Sequence, residues 1–248
     1  MDYILEVKHL GKIYHNKKGE TLAVEDFNLK VKEGEFIAIV GPSGCGKSTI
    51  LSILCGLDVK SRGEIVTAPD LKKGYMLQQD SLFPWLTVLD NCLLGLKIEK
   101  QLTEESKQRV IELLETYGLK EFMYHYPNSL SGGMRQRAAL IRTLAVNPDI
   151  LLLDEAFSAL DYQTRLLVSD DVYQIIKSEH KTAIMVTHDL SEAISMADRI
   201  IVLSKRPSVV KNVYDVELSN HSNPIENRKS KEFASYYDKI WKDLDVHV

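Results

Sequence analysis

Residues 36–49 read "FIAIVGPSGCGKST". The first five are apolar without polar alternation, the pattern of a strand buried on both faces. The glycines and hydroxyl side chains that follow leave little to pack. Such a stretch lets the main chain close into a compact loop with its N–H groups turned inward on an anion. A helix beginning there adds the positive end of its dipole. Gly41, Gly46, Lys47 and Ser48 satisfy G-x-x-x-x-G-K-[ST]. In that pattern Lys47 sets a point charge between outer phosphates, and the Ser48 hydroxyl holds Mg²⁺. A glycine-rich turn needs no ligand in itself. The apolar strand before the loop and "STILSILCGL" after it, residues 48–57, decide for a nucleotide phosphate. Cys45 inside the loop reads as a small filler, with a redox-sensing thiol as the alternative.

The rest of the chain sets the frame for that loop. Its 248 residues are enough for one large α/β domain or two small ones. A net charge of −4, without a polybasic block, argues against a dedicated nucleic-acid or anionic-lipid binder. Apolar runs are strand-sized, far short of the ~20 residues that span a bilayer. The start "MDYILEVKHL" lacks the pattern of a signal peptide. Cys45, Cys55 and Cys92 are odd in number and lack metal-like spacing, which fits a reduced cytoplasm. The expectation is a soluble intracellular chain.

Short aliphatic runs alternate with helical patterns, as in a parallel sheet with crossover helices. The expected strands are "YILEV", "EFIAIV", "GYML", "DILLL", "TAIMVT" and "RIIVLS". From residue 85 to 147 the pattern turns almost wholly helical and reads as an insertion in the α/β core. Within it Thr103 is the expected N-cap, with Val110, Ile111, Leu113 and Leu114 on the apolar face and Gly118 at the C-terminal stop. After a polar, turn-rich "SNHSNPIEN", the residues Phe233, Tyr237, Ile240, Trp241 and Leu244 recur at helical spacing. That stripe is expected to pack on the chain's own body.

Three strand ends carry further chemistry. "DILLLDEAFSALD" puts Asp154 and Glu155 at the end of a buried strand, where ligands of open α/β sheets gather. Beside a phosphate loop, one carboxylate orients a Mg²⁺ shell and the other serves as base for the attacking water. Without the strand, an acidic pair would read only as a favourable helix start. "TAIMVTHDL" ends in His188, within reach of a γ-phosphate and the water. "GYMLQQDSLFPW" offers Gln78 to Mg²⁺ and the water, with Gln79 as competitor. "LSGGMRQR", residues 130–137, is a second glycine pair opening a helix, a second anion cradle. One nucleotide needs one cradle, so the second makes sense if it is lent to a neighbouring chain.

These motifs, in this order, make the chain resemble an ATP-binding cassette (ABC) ATPase over nearly its whole length. Gly41–Ser48 match Walker A, Gln78 the Q-loop, Leu130–Met134 the signature, Ile150–Asp154 Walker B, Ser158–Asp161 the D-loop and His188 the switch histidine. The resemblance implies a P-loop NTPase (RecA-like) core, 1–84 and 148–219, with an N-terminal antiparallel β subdomain. It implies an α-helical subdomain at about 85–147 and a tail at 220–248. It assigns Gly41, Pro42, Ser43, Gly44, Cys45, Gly46, Lys47, Ser48 and Thr49 to ATP, with Tyr14 stacked on adenine. It assigns Ser48, Gln78 and Asp154 to Mg²⁺, and Glu155, His188 and Gln78 to catalysis. It also implies a head-to-tail homodimer with two ATP molecules between Walker A of one chain and Ser131, Gly132 and Gly133 of the other. Met134 departs from the family's usual glutamine, and loses a polar contact there.

A complete catalytic set argues against a degenerate regulator. Family members that act on ribosomes or DNA carry paired cassettes or long coiled coils, which this chain lacks. "LFPWLTVLDN", "VLSKRPSVV" and "NRKSKEFASYYDKIWKDL" resemble one importer group, that of nitrate, sulfonates, taurine and related small solutes. Importers of polyamines or metal chelates are the alternative. The resemblance places the chain peripherally on the cytoplasmic face of the membrane. Its partners would be a transmembrane permease and, indirectly, a solute-binding protein, with no nucleic acid. A short permease helix is expected in the groove near Gln78 to Trp85.

Overall fold

The computed structural model describes residues 3–16, 19–220 and 222–244. Residues 1, 2, 17 and 18 of the expected core, and 221 and 245–248 of the expected tail, lie outside the described residues. One sheet organises the molecule. In chain order its strands are β1 (Leu5–Asn16), β2 (Gly19–Val31), β3 (Phe36–Val40), β4 (Arg62–Thr67), β5 (Lys73–Met76), β6 (Ile150–Asp154), β7 (Thr182–Thr187), β8 (Arg199–Leu203) and β9 (Ser208–Asp215). They lie in the order β4-β1-β2-β9-β8-β3-β7-β6-β5. The stretch from β8 to β5 is parallel throughout, while β4, β1 and β2 pair antiparallel. Strand β9 joins the two halves, antiparallel to β8 and parallel to β2. This is the expected α/β core with its antiparallel β limb.

The parallel strands explain their own sequences. On β3, Phe36, Ala38 and Val40 face one apolar cluster while Ile37 and Ile39 face another. Leu151 and Leu153 of β6 take the first side, and Ile150 and Leu152 the second. A strand buried on both faces has no polar side to show, hence the unbroken apolar runs. Each such Leu or Ile contributes about 1.5–3 kcal/mol of transfer free energy. The register then matters for function. Val40 lies opposite Thr187, Asp154 opposite Val186, and Met76 opposite Leu153, so four neighbouring strands end at one level.

Helix α1 (Lys47–Cys55) returns from β3 across the second face. The first face carries α2 (Val88–Ile98), α3 (Glu104–Thr116), α4 (Gly132–Ala145), α5 (Tyr162–Ser178) and α6 (Leu190–Met196). Thr103 caps α3 in a reciprocal capping box with Ser106, and Gly118 stops it at φ 72°. Both were expected from local chemistry. Val110, Leu113 and Leu114 are buried and Ile111 packs against them.

The chain then closes with α7 (Pro224–Asn227) and α8 (Phe233–Asp243). Ile240 is fully buried, Phe233, Tyr237 and Leu244 pack on the main core, and Trp241 stacks on Tyr237 with ring centroids 6.0 Å apart. The stripe of α8 therefore rests on its own body except at Trp241, which stays 40% exposed. No helix among the described residues is long and apolar enough to cross a membrane.

Candidate active site

The level edge formed by β3, β7, β6 and β5 gathers the chemistry. The loop after β3 bends because Gly44 and Gly46 take positive φ, 72° and 114°, which side chains rarely tolerate. Gly46 is the N-cap of α1 and offers no side chain, so no cap bond occupies the helix's first N–H groups. Lys47 is buried, its ammonium donating to the carbonyls of Gly41 at 2.8 Å and Pro42 at 3.2 Å. A cavity of about 270 Å³ opens there, walled by Ser43, Gly44, Lys47, Thr49, Glu155 and Arg206. Burial pushes the Cys45 thiol up, which keeps it protonated and fits the filler reading.

Two strands away, Ser48 donates to Asp154 Oδ1 at 2.8 Å. Tyr75, on the neighbouring strand, donates to Asp154 Oδ2 at 2.9 Å. Burial, then the Asp154 charge, push the Tyr75 phenol up to about 12, so it remains a donor. Glu155 has φ 45°, an uncommon conformation for a residue with a side chain, and its N–H donates to Val186 O. Strain of this kind persists where the surroundings enforce it. The turn brings Glu155 Oε2 to 3.2 Å from His188 Nδ1. Gln78 Nε2 donates to Ser158 Oγ at 3.0 Å, and Ser158 Oγ donates to the Glu155 carbonyl.

A second layer holds this set. Arg165 Nη2 donates to Leu160 O at 2.9 Å, and Nη1 lies 3.5 Å from Asp189 Oδ2, tying the "SALD" turn to the His188 turn. Thr187 donates to Glu192 at 2.8 Å, and burial pushes the Glu192 carboxyl up to about 7. Tyr14 lies at the far side of the loop. Its hydroxyl donates to Asp58 at 2.9 Å and lies 3.2 Å from Thr49 Oγ1, while the Lys12 ammonium sits 4.7 Å from the ring centroid.

Ser131, Gly132 and Gly133 are not part of the cavity wall. Ser131 caps α4 by accepting from Met134 N, and it is exposed. A Cβ on Gly133 would stand 2.8 Å from Val168, and one on Gly132 3.0 Å from Leu160, so both glycines also serve close packing within the chain. Met134 packs against the apolar core.

Sequence reasoning missed Tyr75, Arg165, Glu192 and Arg206. Tyr75 sat in an expected strand beside β6, where a parallel register could have paired it with Asp154. The other three reach the site only through the fold.

The family model described as ABC transporter matches residues 24–158. The uncharacterized ABC transporter ATP-binding protein YtlC of Bacillus subtilis is 46% identical, covering 97% of this chain and 95% of that protein. The nitrate import ATP-binding protein NrtD of Synechocystis is 37% identical, with 95% and 93% covered. The aliphatic sulfonates import ATP-binding protein SsuB of Bacillus thuringiensis is 36% identical, with 97% and 96% covered. A solved dimeric ATP-binding cassette in a post-hydrolysis state, bound to ADP and Pi, superposes with TM-score 0.73 at 35% identity, covering 86% of this chain and 99% of that one. The chain belongs to the ABC transporter family, as an ATP-binding, ATP-hydrolysing subunit similar to those of nitrate and sulfonate importers.

Proposed function

We propose that this chain powers uptake of a small solute through a separate membrane permease, two copies closing on two ATP molecules. The observation that carries the catalytic reading is the line Ser48–Asp154–Glu155–His188, connected at 2.8 Å at one end and 3.2 Å at the other. Lys47 and the loop N–H groups hold the polyphosphate, and Tyr14 stacks on the adenine. Ser48, Gln78 and Asp154 are hydroxyl, amide and carboxylate oxygens, the hard donors Mg²⁺ prefers, and they would hold it. When bound, the ion neutralises charge on the outer phosphates. Glu155 takes the proton of the attacking water, whose oxygen bonds to the γ-phosphorus as the bond to ADP breaks. His188 holds the Glu155 carboxylate in place for that transfer. Ser131, Gly132 and Gly133 close the site from the second copy, a reading supported by the dimeric cassette of similar fold.

The permease contact is proposed at the groove between the core and the helices. There Leu77, Phe83 and Ile98 border a cleft of about 470 Å³, and Trp85 stands 69% exposed beside Phe83. Large apolar groups left in solvent mark an interaction surface. The chain would then lie peripherally on the cytoplasmic face of the membrane, with a solute-binding protein on the far side. The nitrate and sulfonate relatives support a solute of the nitrate, sulfonate or taurine type.

Glu155→Gln tests the reading. Loss of a general base costs ~10²–10⁴-fold in rate, so phosphate release should fall by that much. Size-exclusion chromatography with Mg-ATP should show a dimer that persists. In cells the variant should abolish uptake of nitrate, an alkanesulfonate or taurine. Phosphate release near the wild-type rate would remove Glu155 from its role.

A further inference from the structure

The stretch 203–208, "LSKRPS", runs from the end of β8 through the turn into β9. Strand β8 pairs with β3 in parallel, Val202 opposite Val40, so this turn emerges beside the phosphate loop. Each glycine of the loop leans on it. A Cβ on Gly41 would stand 3.1 Å from Leu203 Cβ, one on Gly44 3.7 Å from Arg206 Nη2, and one on Gly46 3.4 Å from Ser208 Oγ. Ser208 is fully buried and donates to Ala23 O at 3.2 Å. Ser204 closes the hairpin: its N–H donates to Val209 O and its hydroxyl accepts from Val209 N, both at 3.0 Å.

Arg206 makes the polar part of this contact. Its Nε and Nη2 both donate to the Gly44 carbonyl, at 3.1 and 2.6 Å. The N–H of the same peptide unit, on Cys45, donates to Pro42 O at 3.2 Å. A peptide unit is planar, so bonds at its two ends fix its orientation. That matters most at Gly44, whose lack of a Cβ leaves the backbone free to turn. Among the described residues no carboxylate forms an ion pair with Arg206, and it lines the same cavity as Lys47 and Glu155.

We propose that Arg206 is a positioning residue for the phosphate loop. It acts through the Gly44 carbonyl, holding the loop in its nucleotide-binding shape, with the 203–208 turn as its buttress. The proposal rests on reading residues 41–48 as the phosphate site, and the test separates the two. Fluorescent mant-ADP and mant-ATP are titrated onto the full chain carrying Arg206→Met, Arg206→Lys or Lys47→Ala, with ATPase kinetics alongside.

Losing a charge-assisted bond to one carbonyl should weaken both nucleotides roughly tenfold in Arg206→Met. KM for ATP should rise while kcat stays near wild type, the mark of lost uniform binding. Arg206→Lys keeps the charge and one bond and should recover part of the affinity; it also serves as the test variant should Arg206→Met fail to fold. Unchanged mant-ADP affinity in Arg206→Met, beside weakened binding in Lys47→Ala, overturns the positioning role alone. A loss confined to mant-ATP also overturns it, because that would mean direct contact with the terminal phosphate. Normal binding in Lys47→Ala overturns the phosphate-site reading itself and the proposal with it.

Discussion

Two glycine-bearing loops open helices in this molecule, and they use their glycines differently. At α1, Gly44 and Gly46 take backbone angles that side chains rarely adopt, and the first N–H groups meet no side-chain cap. Around them stand Lys47, Ser48, Arg206 and the Asp154–Glu155 pair. At α4, Gly132 and Gly133 are ordinary helical residues that let α4 approach Leu160 and Val168, and Ser131 already caps the helix. The first loop has its anion chemistry within its own chain. The second has a cap and a packing role, and gains anion chemistry only if another copy brings a phosphate to it. On the reading proposed above, similar letters encode one half-site built within the chain and one lent to another copy.

That contrast can be broken by substitution. The largest effect is expected for Lys47→Ala. Removing the cation between the outer phosphates should abolish ATPase turnover while the thermal unfolding midpoint stays near wild type. Gly133→Ala should act on stability instead of on nucleotide binding by the monomer. Its methyl meets Val168 at 2.8 Å and Thr164 at 3.2 Å, and such overpacking costs about 1–3 kcal/mol. Denaturant unfolding should show that loss, with mant-ADP affinity of the monomer unchanged. Ser131→Ala removes a helix cap and should cost about 1 kcal/mol, the smallest effect of the three. If either α4 variant weakened mant-ADP binding by the monomer as strongly as Lys47→Ala, the two loops would not be separate half-sites.

Much of this was legible locally. The phosphate loop could be read because the positive φ of Gly44 and Gly46 and the spacing to Lys47 leave a local pattern, although distant neighbours also crowd its glycines. The cap at Thr103 and the stop at Gly118 are equally local. Asp154, Glu155 and His188 were legible as candidates because apolar strands point to their own ends, and the fold brings Glu155 and His188 together. Strands β2, β4 and β9 escaped. On β2 the inward positions Phe27, Leu29 and Val31 alternate with exposed residues, and the polar half diluted the signal. β4 and β9 are largely half-exposed or exposed, so they carry little apolar pattern. Arg206 and Arg165 escaped for another reason. Each works by spanning elements far apart in sequence, Gly44 to Arg206 across the sheet and Leu160 to Asp189 across one side chain. Only strand order brings such partners together, and order is not a local property.

The central claim, that each ATP is hydrolysed between the first loop of one copy and the second loop of another, has a direct test. ATPase activity per chain is measured at saturating Mg-ATP over a dilution series, with the oligomeric state read by light scattering on the same samples. The account predicts that activity per chain climbs with concentration and follows the dimer fraction. A strictly monomeric sample hydrolysing ATP at the full rate per chain would contradict it.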